Sequence, residues 1–166
     1  MNLKQLIAYL SFFLLSLGVF AGGHPAAKYN DHMIKRQHKV VKGFMKMYDT
    51  FEKGTKEEMF KEHGKLLVLV NKTIEEINAL TPYEGDADFK NAALELFNFY
   101  KSSLDNEYPK MIALIAIRDR SKEDHKKLDD YRDDLIKREK EYDDKFEDAQ
   151  IAFSKKHGLK LIHPKM

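Results

Sequence analysis

Cysteine is absent from this chain. That excludes disulfides, thiolate metal sites, covalent haem attachment and a lipid-bearing thiol. Tryptophan is absent as well, and glycine is scarce, with no glycine-rich loop suited to a phosphate. Neither charge dominates: 29 basic residues stand against 27 acidic ones, so no global excess favours nucleic acid. No segment alternates as a strand, and there is neither an internal repeat nor a low-complexity tract.

Only one long apolar run is present, Leu6–Phe20. Lys4 precedes it, and Val19-Phe20-Ala21 offers a small-residue cleavage pattern before Gly22-Gly23. The run is shorter than the roughly 20 apolar residues a spanning helix needs. It ends in glycines rather than in a Lys/Arg stop. These features predict an export signal over residues 1–22 and a single domain over 23–166, with no spanning helix in the mature chain. The expected location is the periplasm, the cell surface or the medium. An exported chain without disulfides must hold together by core burial. Its 11 Phe and 8 Tyr are the core material.

Helical periodicity governs the rest, after a short leader at Gly23-His24-Pro25-Ala26. Ile34, Val41, Phe44, Tyr48 and Phe51 step by three, four and seven, which predicts a first helix over 28–52. Gly54 then provides a left-handed stop. Thr55-Lys56-Glu57-Glu58 is a capping box that starts a second helix. Thr81-Pro82 ends it. Asp86 is the expected cap of a third helix, which continues past Pro109 as one kinked helix or two abutting ones, to about Ile117. Ser121 caps the fourth, in which Leu128, Leu135, Tyr142 and Ala149 step by sevens. Gly158 terminates it, and an apolar tail over 159–164 folds back on the bundle end. Four long helices with short connections predict an all-α, up-down-up-down antiparallel four-helix bundle with a Pro-kinked third helix. The first helix is expected beside the second and the fourth.

Catalytic constellations are missing. No histidine follows an acidic residue by three, and His-x-x-x-His does not occur, so neither a carboxylate-bridged di-metal site nor a zinc-protease site is expected. There is no Gly-x-Ser-x-Gly. Most of the acidic run of the fourth helix, which includes Asp143 and Asp144, reads as a solvated face paired in place with lysines. Met33 and His157 fall at helix ends where a bundle can ligate haem. Core packing for Met33 and a favourable helix dipole for His157 are the stronger readings. No cofactor is expected.

Two features carry more. Lys35, Lys39, Lys42 and Lys46 lie on one face of the first helix, which Lys28 and His32 extend. The simpler reading is edge complementarity with the acidic fourth helix. The functional one is a docking stripe for an anionic envelope component. Nucleic acid is not expected, because no stacking aromatics interleave with these lysines. The second feature is polar residues on core stripes: Gln37, His63 and Gln150. Gln37 and Gln150 are expected at a similar height, as a layer that sets register or lines a cavity.

Tyr29-Asn30-Asp31 with Gln37, Gly85-Asp86 with Leu96-Phe97-Asn98-Phe99-Tyr100, and Ala149-Gln150 with Phe153 and Lys155-Lys156-His157-Gly158 together resemble a family of uncharacterised bacterial surface or periplasmic helical proteins. The resemblance spans nearly the whole mature chain. It implies an exported helical bundle without an established activity or catalytic residue. Some members start with a lipid-attachment cysteine, which this chain lacks. The resulting expectation is a non-enzymatic binding or envelope protein, with a small-molecule or haem carrier as the alternative.

Overall fold

In a computed structural model, which describes residues 18–19 and 24–162, four helices form an all-α bundle. They are α1 (Pro25–Lys53), α2 (Lys56–Asn78), α3 (Asp88–Ile115) and α4 (Lys122–Lys156). Contacts pair residues in opposing order. Arg36 meets Glu76, and Gly43 meets Leu66. His63 bonds Leu104, while Lys90 bonds the end of α2 at Asn78. Phe89 packs on Phe153, and Phe99 on Tyr142. Consecutive helices are therefore antiparallel, as short connections require.

The helix ends show how local chemistry sets these bounds. His24 accepts from the Ala26 amide at 3.2 Å, and Pro25 occupies the first turn, where a missing N–H costs nothing. Pro25 and Ala26 thus belong to α1 and not to the leader. The expected box of Thr55 with Glu58 forms reciprocally, and Ser121, expected as a cap, forms a second box with Asp124. Gly54 departs from expectation: its φ is −87°, extended and not left-handed. Its amide instead reaches the Thr50 carbonyl at 2.7 Å, an approach in which a Cβ would lie only 2.7 Å from that same oxygen. Glycine is required there for closeness. Asp86 is likewise displaced from its expected role. The cap of α3 is Ala87, without a side-chain bond, while Asp86 Oδ1 accepts from Asp88 N at 3.3 Å. Pro109 lies inside one uninterrupted α3. Gly158 takes the left-handed conformation at φ 66° and ends α4.

The sequence showed no strand, yet β1 (Gly18–Val19) pairs antiparallel with β2 (Leu161–Ile162). Two residues per strand are too few to carry a period-two pattern. β1 falls within the predicted leader. The remainder of 1–22, and Pro164 in the tail, lie outside the described residues. Leu159 is buried against the bundle, as a tail folding back requires. Among the described residues no helix is long and apolar enough to cross a membrane.

The core runs the length of the bundle. Met33, Val40, Phe44, Met47 and Tyr48 supply it from α1, and Leu66, Val70 and Ile77 from α2. Phe89, Leu96, Phe97, Leu104 and Ile112 come from α3, and Leu135, Phe146 and Phe153 from α4. α4 is the longest helix, and its first turns up to Asp134 are mostly exposed. The seam between α1 and α4 is looser than the three seams between consecutive helices.

Candidate functional site

Lys35, Lys39, Lys42 and Lys46 are all exposed, and none makes an ion pair among the described residues. Their spacing of three and four keeps them on one side of α1. With Lys28 the row covers 18 residue steps, about 27 Å at 1.5 Å per step. The acidic face of α4 does not neutralise them. Its ion-paired carboxylates meet cations of their own helix: Lys126 pairs with Asp130 at 2.6 Å, Lys127 with Glu123 at 2.7 Å, and Lys140 with Asp144 at 2.7 Å. Arg138 joins Asp134 to Glu107 of α3. Edge complementarity between α1 and α4 is therefore not how these charges are arranged. The one ion pair from α1 to another described helix is Arg36 with Glu76 of α2, at 2.7 Å.

The polar core residues separate. His63 donates from Nε2 to the Leu104 carbonyl at 2.6 Å, with Phe60 edge-on to its ring. It is a satisfied core histidine that ties α2 to α3. Gln150 donates to Asn30 Oδ1 at 2.8 Å. The expected layer of Gln37 with Gln150 is corrected to Asn30 with Gln150, because the register of α1 on α4 is shifted by two turns. Gln37 is buried (4 % exposed), and its Oε1 has no hydrogen-bond partner.

Met33 is fully buried in the core. The His157 ring packs on Tyr83 and Phe153 at centroid distances of 4.9 and 4.6 Å. Its nitrogens lie 3.5 Å from Glu84 and 3.5 Å from Asp86. Lys156 reaches the same Asp86 carboxylate at 2.9 Å, and that bond holds the Asp86 carboxyl below its usual range. This junction pins the end of α4 to the α2–α3 connection.

The second cluster, of tyrosines and carboxylates, was not anticipated. Glu139 and Asp143, one turn apart on α4, are only partly exposed and lie against the tyrosines of α1 and α3. Tyr100 donates to Asp143 Oδ1 at 3.4 Å. Tyr48 and Tyr108 share a short hydroxyl–hydroxyl bond beside them. The ring of Phe44 closes the group, 5.2 Å from Tyr100 and 5.7 Å from Tyr108. Burial pushes Glu139 well above the usual carboxylate range, with the Asp143 charge adding to it. Burial likewise raises Asp143 to about 7, against the lowering effect of the Tyr100 bond. All three tyrosines are raised, chiefly by burial. Neither carboxylate has an ion pair among the described residues.

Asp143 thus departs from the solvated face assigned to it. Steps of seven carried the signal: Glu139 lies seven before the buried Phe146, and Asp143 seven before the buried Gln150. Charge outweighed period in that reading. Among the described residues no group of three or more His, Cys, Asp or Glu is placed to hold a metal ion. No family model, curated protein or solved structure matches the chain.

Proposed function

We propose that this is an exported, non-enzymatic helical-bundle protein that docks on anionic envelope material through the lysine face of α1. The observation that carries the reading is four exposed, aligned lysines without an ion-pair partner among the described residues, beside an acidic helix whose ion-paired carboxylates meet cations of that same helix. A rigid row of ammonium groups can approach an anionic surface together, and each contributes about 1 kcal/mol near such a surface. Four together amount to about 4 kcal/mol, several hundred-fold in affinity. The export pattern at 1–22 supports a location where such material is met.

Sedimentation with vesicles containing phosphatidylglycerol tests it. The protein should sediment with these and not with phosphatidylcholine vesicles, and added salt should release it. Replacing Lys35, Lys39, Lys42 and Lys46 with Gln should weaken binding about a hundred-fold or more. Equal sedimentation of the variant, or none of the parent, rules the reading out. Export has its own check. The intact mass of the protein recovered from a producing bacterium should lack the leader, up to about residue 22, whereas a full-length mass rejects the assigned location.

A further inference from the structure

Once ionised, Glu139 and Asp143 give the cluster on α4 more acceptors than its tyrosines have donors. Glu139 and Asp143 bring four carboxylate oxygens. The Tyr100 hydroxyl supplies one hydrogen to them, and the Tyr48–Tyr108 pair, having spent one hydrogen between themselves, has one left. Gln37 adds a further acceptor. The Asn30–Gln150 bond sets the level. Gln37 lies seven residues after Asn30 and Asp143 seven before Gln150, so both stand two turns along from that bond. Phe44, seven beyond Gln37 on the same stripe, touches Tyr100. The unpartnered, buried Gln37 Oε1 therefore belongs to the stripe that faces Asp143 and Tyr100.

We infer that this cluster of acceptors between α1 and α4 binds a primary ammonium group. An R–NH₃⁺ head offers three donors and no acceptor, which is what the carboxylates and Gln37 lack. Its charge compensates half-buried carboxylates that make no ion pair among the described residues, Lys140 being paired with Asp144 and acting on Asp143 only through its field. The faces of Tyr100, Tyr108 and Phe44 add cation–π attraction. Access is through the loose α1–α4 seam, where Glu139 and Asp143 keep partial exposure.

Calorimetric titration of the purified protein near neutral pH with n-butylammonium chloride tests this, with tetramethylammonium, sodium and magnesium chlorides at matched ionic strength. Butylammonium should bind at one saturable site, about tenfold or more weakly after Glu139→Gln or Asp143→Asn. Gln37→Leu should weaken it as well. Tetramethylammonium, which has no N–H, should bind poorly. Loss of binding is read only in variants whose circular dichroism and unfolding temperature show a folded bundle. An absence of saturable heat in the parent protein overturns the inference. So does equal binding by the carboxylate variants, by tetramethylammonium, or tighter binding of magnesium. The Lys→Gln variant of α1 should bind butylammonium like the parent, so failure of one reading leaves the other standing.

Discussion

Raising the pH from about 5 to about 8 should lower the unfolding temperature of this protein, and Glu139→Gln with Asp143→Asn should remove most of that loss. Both carboxyls have folded-state pKa values above the ordinary range of about 4 that they recover on unfolding. Between that range and their raised values the folded state holds more protons than the unfolded state, so stability falls as pH rises. For Asp143 the window runs from its ordinary value of 3.8 to about 7. Glu139, also raised, acts with the same sign. The facing groups are Tyr48 of α1, Tyr100 and Tyr108 of α3, and Lys140, Asp144 and Glu147 of α4. The tyrosines stay neutral throughout this range, because burial raises them further. His32 and His38 act with the opposite sign. Burial lowers both, so they cost stability as pH falls and they protonate. The double variant isolates the carboxylates from this background. At pH 8 it should be more stable than the parent by about 2–4 kcal/mol, and near pH 4.5 about equal to it. Thermal unfolding followed by circular dichroism measures this, and an unchanged pH profile in the double variant refutes it.

Phe153→Ala should be among the most damaging single replacements. The ring is 2 % exposed. It touches Tyr29 of α1 at 5.5 Å, Tyr83 of the α2–α3 connection at 5.8 Å, Phe89 of α3 at 5.4 Å and His157 at 4.6 Å. One side chain thereby joins three helices and a connection at one end of the bundle. Its removal deletes the burial and leaves a cavity among rings whose backbones come from separate elements and cannot collapse together. The expected cost is about 3–5 kcal/mol, a fall of about 10 °C or more in unfolding temperature. Phe60, 38 % exposed, is the control: Phe60→Ala should move the midpoint by about 2 °C or less. Similar effects from the two variants contradict the role given to Phe153.

Much of the architecture was legible locally. Thr55 with Glu58 and Ser121 with Asp124 start helices through bonds three residues apart, so the sequence displays them directly. The stripes of α1 and α2 follow from a period of 3.6. Legibility failed where a residue's behaviour depends on a distant partner. Asp86 looks like a cap, but one of its oxygens is engaged by Lys156, from the far end of the chain. Gly54 looks like a left-handed stop, but a close approach to Thr50 decides its conformation. Asp143 looks like one more charge on a solvated face, and only the packing of α4 against α1 and α3 turns it inward.

Amino-acid order alone determined that this chain forms four amphipathic helices, where most of them begin and end, and that they share one aromatic core, because periodicity and capping are chemistry between near neighbours. Tertiary structure alone decided which polar groups stand inside that core and which face each other. Register across the α1–α4 seam sets Asn30 on Gln150 and Gln37 level with Asp143. It is fixed by the summed packing of four helices, a quantity that no short stretch of sequence contains.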